Sequence, residues 1–142
     1  MNREAIYSAL WARLPQGQFA HASRRVRMYT DLANGEFPSL MMSQGTEVSQ
    51  KVTRQPVKWT FSVELLIYVH TGGDLRNIPA VLLNPLIDAV TDSLRSDPAF
   101  AELTLGGLVE RCSVEGEITT DGGSLDVHGF AIIPVTIVVS DN

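Results

Sequence analysis

Few side chains in this sequence are of a type that makes or breaks bonds, and their spacing argues against the usual arrangements. His21, His70 and His128 lie far apart. None has the i,i+4 partner of a helical zinc site, so each reads as an isolated histidine at a strand end. Cys112 is the single cysteine, which excludes an intramolecular disulfide and a multi-cysteine zinc site. It falls on the apolar side of an alternating strand pattern, the place of a small buried hydrophobe rather than a nucleophile. No serine sits in a G-x-S-x-G setting. Glu115 and Glu117 share one face of the same strand and could pair as carboxylates. An acid–base pair also needs an apolar pocket to separate its two pKa values, so the pair reads as a solvated edge or a contact surface. Gly106 and Gly107, in "TLGGLVERCSVEGEI" (104–118), have the look of a phosphate cradle. Such a cradle follows a strand and precedes a helix, so that backbone N–H groups and the helix dipole meet the anion. Here the order is reversed and no Lys-Ser/Thr follows, which leaves a helix-to-strand turn. No catalytic group, metal or cofactor is expected.

Charge is more informative than chemistry. Arg24, Arg25 and Arg27 form a short basic cluster, but only Tyr29 is an aromatic neighbour and the whole chain carries −5. Nucleic-acid binding fits this poorly, and a salt-bridging patch toward an acidic neighbour fits it better. Residues 1–71 hold 8 Lys and Arg against 5 Asp and Glu, a balance of +3. Residues 72–142 hold 3 against 11, a balance of −8. Unlike patches on one molecule suit head-to-tail contacts between identical copies.

The elements that must position these residues follow from periodicity. The 142 residues, 44% hydrophobic and 19% charged, suit one folded domain. Asn2 caps a helix over 2–14 that presents Ile6, Tyr7, Leu10 and Leu14. Residues 18–30 read as a strand, 31–39 as turn and 39–43 as a short strand. The polar stretch 44–56 has no period, and is either a mobile arm or a long hairpin. Over 56–71, Val57, Trp59, Phe61, Val63, Leu65, Ile67 and Val69 alternate on one face. A second helix starts best with Asn84 as cap and Pro85 next, with 79–83 as a candidate added turn before a kink, and Pro98 closes it. Residues 108–119 and 127–139 read as the arms of a hairpin whose turn is 120–126. The sum is an α+β fold, a mostly antiparallel sheet with helices packed on one face. The N-terminus has no signal-peptide pattern, the lone thiol fits a reducing cytosol, and no stretch is apolar enough to span a membrane.

In order along the chain, "MNREAIYSALWARL", "SRR" (23–25), "KWTFSVELLIYV" (58–69), "LNPLIDAV" (83–90), "TLGGLVERCSVEGEI" and "FAIIPVTIVV" (130–139) resemble the tail terminator proteins of long-tailed bacteriophages. The resemblance implies a structural protein, not an enzyme. It implies a homo-oligomeric ring, usually of six, that binds the last ring of the tail tube protein and stops its polymerisation. The ring offers a surface to a head-completion or neck protein, and genomic DNA passes through its lumen without specific binding. It implies residence at the head-proximal end of the virion tail, and in the host cytoplasm during assembly. A head–tail connector, and a small ligand-binding domain or hydrolase, are the competing readings. Exposure and charge nominate Arg24, Arg25, Arg27, Glu47, Lys51, Arg54, Lys58, Glu115, Glu117, Asp121 and Asp126 as interface residues.

Overall fold

The computed structural model describes residues 1–74, 76–96, 102–125 and 127–141. Its first element is helix α1 (Arg3–Arg13). Asn2 Oδ1 accepts the Ala5 N–H at 3.0 Å, satisfying one of the amides a helix start leaves unpaired. Ile6, Tyr7 and Leu10 form the stripe it buries, as their spacing predicts. Strand β1 (His21–Ser23) follows, then β2 (Ser39–Gln50), β3 (Val57–His70), helix α2 (Pro79–Ser93), β4 (Arg111–Val114), β5 (Thr119–Leu125) and β6 (His128–Asp141). The sheet order is β1-β2-β3-β6-β4, with β5 beside β6 as well. Only β1 and β2 run parallel; the other pairings are antiparallel. The expected α+β class holds, as a mixed sheet.

Strict alternation along the two central strands creates the core. Phe61, Val63, Leu65, Ile67 and Val69 of β3 face the helices with Ala131, Ile133, Val135, Ile137 and Val139 of β6. Ile6, Tyr7 and Leu10 of α1 and Leu83 and Val90 of α2 close over them. On the opposite face Leu32, Met41 and Tyr68 are buried, with Tyr29, Phe37, Leu66 and Phe130 packed around them. That second cluster explains why Leu66 and Tyr68 break the polar side of β3. The 24–38 segment folds over one end of the sheet and needs apolar groups to rest on.

Several boundaries differ from the sequence reading, each for a physical reason. The strand expected over 18–30 shrinks to three residues, because β1 pairs only with Ser39–Met41 before Arg27 and Tyr29 leave the sheet plane. The polar 44–56 stretch is the hairpin rather than the mobile arm. β2 runs to Gln50 against Lys58, and residues 51–56 alone project beyond the pairing. α2 begins at Pro79, so the added turn over 79–83 is part of the helix and Asn84 is not its cap. Pro79 needs no N–H in the first turn, and the carbonyl that Pro85 leaves without a donor belongs to solvent-exposed Val81. Pro98 lies outside the described residues. The strand expected over 108–119 breaks into β4 and β5 around Gly116, and the pairing on β6 shifts across the break. β5 then occupies most of the 120–126 stretch expected as a turn.

One irregularity sets the geometry of the hairpin. Between Gln44, which pairs with Val63, and Glu47, which pairs with Phe61, two residues of β2 oppose the single Ser62 of β3. The extra residue reverses which face later side chains occupy, and Glu47 swings to the helix side. Only glycine fits here: a Cβ on Gly45 would lie 2.7 Å from the Ser62 carbonyl oxygen, a backbone atom. Gly45→Ala is therefore expected to lower folding stability by about 1–3 kcal/mol, the range of an overpacked site. Gly17→Ala, where nothing lies within 4 Å, serves as control. Urea unfolding of the two variants checks this, and equal stability would refute the close approach.

Candidate functional site

Five of the eleven charges nominated by the sequence are engaged in ion pairs within the chain. Glu47 Oε2 accepts from Arg3 Nε at 2.7 Å and Oε1 from the Tyr7 hydroxyl at 2.9 Å. The Arg3 guanidinium lies over Trp59 at 4.8 Å and near Phe61, on which Tyr7 stacks at 5.6 Å. The hydrogen bond from Arg3 holds the Glu47 carboxyl below its ordinary value, while burial and then Glu47 push the Tyr7 phenol up. This cluster ties the start of α1 to the hairpin. Arg24 pairs with Glu4 and also reaches Gln44. Arg27 pairs with Glu36 at 2.9 Å and donates to the Asp31 carbonyl. Lys58 bridges to Glu110 at 3.3 Å, and Glu115 pairs with Arg111 while accepting from Ser113. Asp121 lies in β5 opposite Phe130. Asp126 lies outside the described residues.

Among the described residues the nominated charges Arg25, Lys51, Arg54 and Glu117 are exposed and make no ion pair. Lys51 and Arg54 sit together on the exposed 51–56 turn, which the Gln55 N–H closes on the Val52 carbonyl at 3.0 Å. Arg54 holds that turn with φ 66°, and Val52 stays 48% exposed on it.

At the far end of β3 lies a groove of about 520 Å³ between α2 and the 34–38 loop. Its wall is mostly apolar: Phe37, Pro38, Val69, Leu82, Pro85 and Leu86, with His70 and Asn34 as the side chains with polar atoms. Beside it Val81 of α2 and its N-cap Ile78 turn further apolar groups to solvent, at 64% and 60% exposed, and the wall residue Leu82 is itself 43% exposed. The reading of the sequence missed this surface. Its signal was present in "IPAVLLNPL", which is apolar all round the first turns of a helix whose core side needs one stripe.

The chemistry-bearing residues are placed as follows. His70 and His128, distant in sequence, are register partners on β3 and β6 with ring centroids 4.9 Å apart, among Tyr29 and Phe37. They are strand-end residues, but not isolated ones. His70 Nδ1 accepts the Gly72 N–H at 2.9 Å, and His21 Nδ1 meets the Ser39 hydroxyl. Among the described residues no three or more His, Cys, Asp or Glu side chains are grouped to hold a metal ion. The Gly107 N–H turns inward to the Thr104 carbonyl at 3.1 Å, closing a tight turn rather than pointing at an anion. Cys112 is buried in the core, and burial pushes its thiol up to about 12.

No family model matches the chain, and no curated protein matches it.

Two outcomes follow. Cys112 should stay unlabelled by a thiol reagent at pH 8 until denaturant is added, because the thiolate is the reactive form; rapid labelling of the folded chain would contradict its burial. Glu47→Gln should cost about 1–3 kcal/mol at pH 7, since Arg3 loses its anion and the buried Tyr7 hydroxyl its charged acceptor. Because Glu47 sits below its ordinary value of 4.5 in the fold, its contribution is complete above that pH and fades as the pH falls through the lowered value. The gap between parent and variant should therefore close in acid, as thermal melts from pH 7 to 3 can measure.

Proposed function

We propose that the chain is a structural assembly protein of the tail terminator kind. Its copies close into a ring, six by the family resemblance, that caps the tail tube of a long-tailed phage and presents the joining surface for a head-completion protein. Sheet order is the observation that carries this reading. β1, β2 and β3, from the +3 half of the sequence, form one side of the sheet, and β6, β4 and β5, from the −8 half, form the other. The strands of the two sequence halves, which differ in net charge, thereby lie on different sides of the sheet. Two unlike sides are what a head-to-tail contact between identical subunits requires, and such contacts close into rings when the rotation per step permits. The exposed apolar surface of α2 adds support, because a patch of this kind on a folded domain marks a protein contact. A net −5 on every copy makes an acidic ring, past which a phosphate backbone slides rather than binds.

In this reading the chain works by contact, not by bond chemistry. It resides at the head-proximal end of the virion tail and, during assembly, in the host cytoplasm. The groove beside His70 favours a second reading, a small-ligand binding domain, since concave apolar walls with a few polar groups are typical of such sites.

Light scattering of the purified chain, alone and with isolated tail tubes, tests the first reading, with negative-stain images of the tubes. The expected result is a discrete ring on one end of each tube, weakened as salt rises from about 0.05 to 0.5 M and screening shortens the reach of surface charge. A chain that remains monomeric with tubes present and leaves both ends bare refutes it.

A further inference from the structure

Two exposed features among the described residues are opposite in shape, one of them cationic and the other mostly apolar. One is convex. The 51–56 turn projects past the end of the sheet, all six residues exposed, with Lys51 and Arg54 on either side of Val52 and no acidic residue from 48 to 63. Its closing hydrogen bond and the left-handed Arg54 give it a defined form rather than that of a loose loop. The other is concave. Among the described residues its wall holds no Lys, Arg, Asp or Glu, and Asp88, outside the wall and one helical turn beyond Pro85, is exposed with no ion pair among the described residues.

These two features lie at opposite ends of β3. Its fourteen residues, at about 3.3 Å each, set them roughly 40 Å apart. A chain therefore cannot fill its own groove with its own turn.

The geometry points to the 51–56 turn of a second copy as the occupant of the groove, an inference that rests on the assembly reading and names its anchoring contact. Val52 enters between Phe37, Leu82 and Leu86, and Lys51 and Arg54 stay at the rim facing Asp88. Each copy gives a turn at one end and receives one at the other, so the contact is heterologous and propagates from copy to copy. One turn covers far less than the roughly 800 Å² per partner of a stable interface. The turn is the anchor that fixes register, with the unlike sides of neighbouring sheets supplying the remaining area. A free small molecule suits the groove less well. It would be oriented by the wall's few polar side chains, here Asn34 and His70, and His70 Nδ1 is already held by the Gly72 N–H.

Cysteine pairing tests this directly, because the native Cys112 is buried and does not compete. Val52→Cys and Leu82→Cys chains are purified separately and oxidised under conditions where the parent assembles, alone and mixed. The expected result is a covalent dimer from the mixture and from neither variant alone, and a ladder of linked copies from a chain carrying both changes. A disulfide demands Cβ atoms within about 4.5 Å, so chance proximity does not form it efficiently. In parallel, Lys51→Glu with Arg54→Glu should reduce the assembled fraction about tenfold at fixed concentration, and adding Asp88→Lys should restore it. All the changed side chains are exposed, and circular dichroism confirms that each variant remains folded. If the ring forms while the mixture stays unlinked, or if Val52→Cys alone dimerises, the turn-in-groove contact is wrong and the assembly reading stands. If the parent is monomeric under every condition, including on tail tubes, both fail.

Discussion

The pairing of β3 with β6 along their full length is the constraint from which the rest of the molecule follows. Val57 opposite Asp141 at one end and His70 opposite His128 at the other leave no slip between them. With a side-chain period of two, such a pair has one choice of inner face, and a shift by one residue would turn every core side chain toward water. The helices settle on the face that Phe61 to Val69 and Ala131 to Val139 define. The same length also separates the ends of the molecule, so that the projecting turn and the apolar groove cannot meet within one chain.

Polar groups divide into those that hold this arrangement and those that face outward. The bulge opposite Ser62 brings Glu47 over to Arg3 and Tyr7, and the start of α1 is fastened to the hairpin. Arg24 with Glu4 and Arg27 with Glu36 fasten the segment after β1 in the same manner. These are partly exposed pairs, and each is worth little alone. Their effect is mainly geometric, because they fix the segments that carry them and leave Arg25, Lys51 and Arg54 facing outward. A cluster such as Arg24-Arg25-x-Arg27 thus looks like one patch in the sequence but is two internal clasps and one outward cation in the fold.

The histidines make the same point. His70 and His128 read as unrelated residues because 57 residues of chain separate them. The register of two strands makes them neighbours, and the loop carrying Tyr29 and Phe37 packs on both. The groove next to them is likewise assembled from the end of β3, the 34–38 loop and the first turns of α2. No single stretch of sequence contains it.

By itself the sequence determined what depends on neighbours a few residues away. The capped α1, the alternating β3, the α+β class and the polar character of the hairpin are all local consequences of side-chain period and capping. Tertiary structure decided where strands end and which surfaces remain bare. β1 stops when its partner does. The 108–119 stretch divides because β6 cannot pair straight past Gly116. α2 starts a turn early because Val81 and Pro85 lie on its solvent side. Each of these is set by a partner distant in the chain, and pairing energy with a distant partner leaves no periodicity in the segment itself.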